Sequence, residues 1–410
     1  MRIRNLLLVC LIVSSASASA QEWTRFRGPN GTGESEATTI PLSWNEQGFL
    51  WRVALPGKGN SSPVLWGDKL FITSGDSETA RRYLQCLSAT DGHELWRHDS
   101  AGTAHHLHVR NTFASSTPTV DAERVYVVWG APESLLVQAF DHAGKPVWST
   151  DLGPHPSQHG YGGSPMIYED LLIVGNDQDG VSALVALDRR TGEKRWSTPR
   201  KSREAAYSVP CVRKLPSGGD ELVFNSGAHG ITGVNPRTGS VNWELDVFDK
   251  RSVSSPLVVN GLVFGSCGSG AGGNYVVAID PVDAAGERPE IAWKFDRSAP
   301  YVPTPVAYGP LLFLWSDQGV VTCVRAASGE RVWQKRIGGN FSGSPVRVAD
   351  RIYCSSDEGE MYVLAAAEEY ALLAKNPMGE PGRSTPAVAG GRMFLRTESH
   401  LAALGEGKAP

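Results

Sequence analysis

The sequence predicts an all-β fold, an eight-bladed β-propeller of four-stranded antiparallel blades whose last blade is closed by the N-terminal strand. Three observations lead there. First, the segment 187–196, LDRRTGEKRW, recurs in looser form at 87–96, 140–148, 234–243 and 324–333, with a longer variant at 279–293. Second, Trp51, Trp96, Trp148, Trp196, Trp243, Trp293 and Trp333 are spaced by 45, 52, 48, 47, 50 and 40 residues. Third, a Ser/Thr/Val-Pro pair opens a short apolar run at Pro63, Pro118, Pro165, Pro210, Pro256, Pro305, Pro345 and Pro386. A period of 40–50 residues denotes a repeat array, and four strands per unit is the blade of a propeller.

Taken in chain order, residues 1–20 carry Arg2 and Arg4, an apolar run from Leu6 to Val13, and small residues ending at Ala20. This is the pattern of a cleaved signal peptide, so the mature chain is expected near Gln21, periplasmic or secreted. Cys10 lies inside the apolar run and no cysteine follows the cleavage point, so no lipid anchor is expected. No later run reaches the roughly 20 apolar residues of a membrane span. Residues 21–48 form a polar, turn-rich leader containing EWTRFRGPNGTG that is not part of the repeat.

From residue 49 to 405 each proline unit holds three short apolar runs separated by turn signals, and a fourth run carries the tryptophan. Asn260-Gly261 is a strong two-residue hairpin signal. The ends complement each other. The last unit stops after three runs, at 400–404, whereas Trp51 sits in a run that precedes any unit. Pairing the two completes blade eight and removes the free edges. Blade seven reads AAAEEYALLAK, without the turn glycine and with Leu372 or Leu373 where tryptophan belongs, so its outer strand is expected to be the least regular. The residues 406–410 are a short tail.

The formal charge of -4 becomes -6 once Arg2 and Arg4 are removed, which argues against a nucleic-acid or anionic-membrane partner. A monomer is expected. Cys86, Cys211, Cys267, Cys323 and Cys354 remain in the mature chain without CxxC spacing. Cys86 and Cys323 align with Ala139, Ala186, Gly233 and Ala278, so they read as small core residues.

The A-x-D-x-x-T-G-x-x-x-W pattern, clearest at 186–196, resembles the tryptophan-docking motif of quinoprotein-type propellers (the PQQ-like repeat). That resemblance implies that each tryptophan packs between neighbouring blades, with Asp188 among the residues of the joint. One branch of the family is quinone-dependent dehydrogenases that hold PQQ with calcium on the channel axis. The alcohol-oxidising members add an adjacent Cys-Cys disulfide and an acidic base. This chain has no Cys-Cys pair and lacks the long insertions. The other branch is non-catalytic and resembles the propeller lipoprotein of the outer-membrane assembly machine. No cofactor and no metal are expected, and no catalytic residue is assigned.

Asn176-Asp177-Gln178-Asp179-Gly180 lacks the full spacing of a calcium loop, and related turns recur at 316–319 and 356–359, so it reads as a structural turn. His105, His106 and His108, with His155 and His159 in the next equivalent connection, lack an accompanying carboxylate and read as polarity at a channel mouth. The connections leading from each outer strand to the next inner strand hold 15 Lys/Arg against 8 Asp/Glu, while those between second and third strands, on the same face, hold 2 against 9. Ion-paired loops are therefore expected, with a basic funnel only if the first set lies nearer the axis. The candidate binding face comprises the residues just before each proline: Arg110, Asn111, His159, Tyr161 and Arg203, and then Tyr207, Arg251, Tyr301, Asn340 and Arg383. Arginines and aromatics are the types enriched at binding hot spots. The expected function is an exported, non-catalytic binding or assembly platform for a protein or envelope component. The alternatives are a PQQ-dependent dehydrogenase of alcohols or sugars and a polysaccharide-binding or cell-surface-binding module.

Overall fold

The computed structural model describes residues 23–283 and 287–406. The predicted signal peptide, Cys10 and most of the short tail lie outside these residues. The described chain folds into eight four-stranded antiparallel sheets, each ordered by sequence from inner to outer strand. Blade three is representative, with strands Met166–Tyr168, Leu171–Asn176, Ser182–Asp188 and Lys194–Arg200. Inner strands are short because they converge on the axis, and outer strands are longer and more exposed.

Ring closure uses both termini. Blade eight takes its three inner strands from Ala387–Ala389, Arg392–Arg396 and His400–Gly405, and its outer strand from Trp51–Ala54. Trp51 pairs antiparallel with Ala403, and Ala54 with His400. Blade seven gains a fifth strand from the leader, where Glu34–Ser35 runs parallel to Arg347 and Val348.

The core is divided among the interfaces between blades. Phe71 and Cys86 of blade one, for example, pack with Val125, Val127 and Phe140 of blade two. All five cysteines are buried free thiols. Burial pushes the Cys86, Cys211 and Cys323 thiols up to about 12, so they remain protonated core residues.

Each tryptophan locks its blade to the next. The Trp148 indole lies on Gly192, where a Cβ would come within 2.6 Å of the ring. The Trp148 Nε1 donates to the Arg189 carbonyl at 3.1 Å. Trp51, Trp96, Trp196 and Trp293 repeat this on Gly92, Gly144, Gly239 and Gly329. The turn glycine is thus required twice over, by its positive φ of 76° at Gly192 and by the ring above it. Trp333 donates to Ala367 across the next junction, although the blade-seven turn has no glycine. Trp243 departs from the rule, because its Nε1 donates to Glu221 of its own blade at 3.0 Å. Asp188 acts within its own blade. Its carboxylate accepts from the Arg190 and Thr191 amides and pairs with Arg195, closing the turn on which Trp148 rests.

The outer strand of blade seven is as regular as the others. Leu372–Pro377 pairs along Glu360–Ala365 with one register shift, at Val363/Leu364. The same bulge occurs in blades one to six, as at Ala186/Leu187 and Cys323/Val324. What replaces the lost tryptophan contact is the leader. The Trp44 amide donates to Asn376, its Nε1 donates to the Pro377 carbonyl, and Asn376 Nδ2 donates to Leu42.

Candidate functional site

The residue before each proline is forced into extended backbone, and the proline has no N–H to offer a neighbour. Blades are joined here instead by hydroxyls. The Ser62 amide donates to Thr117 Oγ1 and the Thr117 amide to Ser164 Oγ, both at 2.9 Å. A second run passes from Val209 to Ser255, Thr304, Ser344 and Thr385 at 2.9–3.0 Å. Val209 has no hydroxyl to accept from Ser164, and there the belt is interrupted. This belt explains why the position before proline is Ser or Thr in most units.

Above the belt the axis widens into a cavity of about 780 Å³ whose wall includes Thr117, Ser164, Thr304, Ser344 and Thr385. Its floor is Phe26. The leader crosses the axis beneath, tied to successive inner strands. Trp23 and Thr24 carbonyls accept from Leu65 and Val120. Arg25 donates to the Pro210 carbonyl at 2.6 Å, and Asn30 exchanges two bonds with Val212. Arg27, with no exposed surface, donates to the carbonyls of Gly31, Thr32, Pro305 and Pro345. Burial lowers the Arg27 guanidinium to about 9. The cavity is therefore a funnel open at one end.

Eight of the ten residues expected on the binding face line this funnel: Arg110, Asn111, His159, Tyr207, Arg251, Tyr301, Asn340 and Arg383. Two lie off it. Tyr161 packs in the core between blades two and three, its ring edge-on to His155. Arg203 is turned away to the carbonyls of Gly227 and Asp249. Phe26 and Arg336 were not anticipated. The aromatic and basic residues packed into a turn-rich leader, Trp23, Arg25, Phe26 and Arg27, were the available signal for the floor.

Charge is sorted radially. On the funnel wall stand Arg110, Arg251, Arg336 and Arg383 against Asp296 and Asp317. The acidic residues of the other loop set mostly brace neighbours. Asp177 pairs with Arg200 at 3.1 Å, Asp179 accepts from the Gln158 and Ala205 amides, and Asp357 accepts from the Ser342 amide and pairs with Arg383. Both Asp177 and Asp179 of the calcium-like turn are thus held by protein donors. The outer-to-inner connections do lie nearer the axis, and the funnel is basic in an acidic chain.

The histidines divide by depth. His155 is buried, its Nδ1–H donates to Asn176 Oδ1 at 2.8 Å, and burial lowers its pKa. His108 stands edge-on to His159 with ring centroids 4.5 Å apart. Partial burial and then the charges of Arg110 and Arg251 depress His108. His105 contacts the Thr103 carbonyl and the Phe113 ring. Among the described residues no three His, Cys, Asp or Glu side chains are grouped to hold a metal.

A family model described as outer membrane protein assembly factor BamB matches residues 45–208, 80–335 and 316–406. The chain belongs to that family. BamB from Moraxella catarrhalis superposes with a TM-score of 0.62 at 12% identity, covering 88% of this chain and 98% of that one, which shows the shared propeller fold. Among sequence relatives, tetrathionate hydrolase of Acidithiobacillus ferrooxidans is 24% identical over 264 residues, 53% of this chain and 51% of the relative. Polyvinylalcohol dehydrogenase of a Pseudomonas species is 29% identical over 276 residues, 57% and 40%. The chain thus spans about half or less of these relatives' lengths.

The funnel wall is poor in carboxylates for a calcium-bound quinone of the kind the dehydrogenase branch of the fold implies. Its wall offers two carboxylates, and Asp317 already accepts from the Tyr301 and Val302 amides at 2.7 and 3.2 Å. Calcium takes six to eight oxygen ligands, drawn from carboxylates, carbonyls and water, and the carbonyl and hydroxyl groups of the wall would have to supply most of them. The five thiols lie in the core, away from the wall.

Proposed function

We propose that this propeller is an exported binding platform, acting without catalysis, that receives its partner in the axial funnel. The observation that carries this reading is the convergence of arginines and tyrosines from six connections on one floored cavity of about 780 Å³, the size of a ligand-binding pocket. Membership of the BamB family supports a place in envelope assembly, since the named member is an outer membrane assembly factor. No helix among the described residues is long and apolar enough to cross a membrane.

Replacing Arg110, His159 and Asn340 together by alanine tests the site. All three stand on the funnel wall outside the hydroxyl belt. The variant is expected to keep its circular dichroism and melting temperature and to lose crosslinking to the partner captured by the native chain in the periplasm. Undiminished crosslinking would move the site elsewhere.

The likeness to polyvinylalcohol dehydrogenase favours a second reading, oxidation of an alcohol with a bound quinone. Adding PQQ and calcium separates the two. A saturable absorbance band with dye reduction by alcohols supports oxidation, and a featureless titration supports the platform.

A further inference from the structure

We infer that the funnel holds an oxyanion site, centred on Arg251 with Arg110 and Arg383, that takes a small ligand bearing two or more carboxylate or phosphate groups. This deepens the platform reading by naming the chemistry of the occupant.

Arg251 is the anchor because it is a buried cation left without a counter-charge. It is 5% exposed, lies on the cavity wall, and its Nε has no partner. Its contacts are to neutral groups, among them the Tyr301 hydroxyl, to which it is hydrogen-bonded. Nη1 stands 3.5 Å from His159 Nε2, and the guanidinium carbon lies 5.9 Å from the centre of the Tyr207 ring. Most other buried arginines are compensated, and Arg82, held by one bond at 3.3 Å to the Gly130 carbonyl, does not line the cavity. Arg200 pairs with Asp177 at 3.1 Å and Arg213 with Glu221 at 2.9 Å. Arg27 sits in a cage of four carbonyls, and Arg396 donates to the carbonyls of Ser61 and Thr73. Removing a cation from water without a paired anion is costly, so a guanidinium facing a hollow is set to gain from an incoming anion.

Two further cations share that hollow. Arg110 has no ion-pair partner among the described residues, and Arg383 divides its charge with Asp357 at 3.1 Å. Partial burial, and then the charges of Arg110, Arg251 and Arg383, depress His108, which lines the same hollow. On the cavity wall, Asp317 accepts from two backbone amides. Planar guanidiniums bind carboxylate and phosphate oxygens in pairs, and three of them require more than one charge on the ligand. Tyr207 and Tyr301, both in contact with Arg251, also line the cavity.

Calorimetric titration with inorganic pyrophosphate, with citrate and with glucose tests this assignment. One-to-one binding of pyrophosphate or citrate, weakened by added salt, is expected, with no heat from glucose. Arg251→Met should weaken binding by about tenfold or more, the scale of one lost charged hydrogen bond. Because Arg251 is buried, an Arg110→Ala/Arg383→Ala variant provides a second reading that does not depend on Arg251→Met folding. Arg237→Ala, outside the funnel, should bind as the native chain does. Absence of saturable binding by either anion at millimolar concentration overturns the assignment, as does binding that both funnel variants leave intact. No anion binding by a native chain whose funnel still governs partner crosslinking would remove this inference alone, whereas anion binding lost in the funnel variants with crosslinking retained would remove the platform reading alone.

Discussion

Replacing Arg27 by methionine should unplug the axis while leaving the blades folded. Arg27 is fully buried and joins four carbonyls, two from the leader and those of Pro305 and Pro345 in blades six and seven. Removing one side of a buried charged network costs about 3–5 kcal/mol. Burial already drives this guanidinium down to about 9, so its charge is incompletely compensated and methionine escapes part of that penalty. The expected loss is therefore at the lower end, about 2–3 kcal/mol, or a fall in melting temperature of about 3–4 °C for a domain of this size. The second readout is local. Trypsin should leave Arg25 intact in the native chain, where it is buried and bonded to Pro210, and should cut there in the variant. Mass spectrometry of brief digests reports the cleavage. An unchanged melting temperature together with a protected Arg25 would show that Arg27 does not hold the leader in place.

Other perturbations address the joints. Gly192→Val combines a φ of 76° with a Cβ 2.6 Å from Trp148, and denaturant unfolding should show a loss of about 3 kcal/mol or more, against about 1 kcal/mol for Gly153→Ala, where nothing lies within 4 Å. Glu221→Ala removes the shared acceptor of Arg213, Asn242 and Trp243 and should cost about 3–5 kcal/mol by the same measurement. Burial raises the Glu380 pKa, but bonds from Thr397, Ser399 and His400 outweigh it and hold the carboxyl at about 2. Because this folded value is below the unfolded one near 4.3, its stabilisation is present above that pH and is lost as pH falls toward 2; Glu380→Gln should flatten the melting-temperature profile across that window. Thiol reagents should label none of the five buried cysteines until the chain is unfolded.

What the sequence disclosed was what the chain states many times. Trp51 without a unit and a final unit without tryptophan are two halves of one blade, and their pairing at Trp51 and Ala403 follows from that mismatch. The funnel residues were accessible by the same route, because the position before each proline is fixed by the repeat and must face the axis. Tyr161 and Arg203 share that register but not that environment. An aromatic ring finds more apolar contact between blades, and the Arg203 fork reaches two nearby carbonyls. Periodicity cannot distinguish those outcomes. Nor does it read the leader, whose partners Leu65, Pro210 and Pro345 lie at separations that no short pattern encodes. The regular outer strand of blade seven has a similar cause, since Trp44 and Asn376 replace by a distant contact what the missing tryptophan would have supplied.

The seam in blade eight bears on how the molecule comes into being. The strand at Trp51 emerges from the ribosome long before its partner around Ala403. Until then the ring is an open arc with an unpaired edge at either end, and pairings this remote in sequence form slowly. The leader must also cross the axis against blades one, two, four, six and seven, several of which are synthesised long after it. Such a chain acquires its final shape only as a finished polypeptide. Its assembly therefore resembles the fastening of a clasp, with the plug seated as the circle shuts.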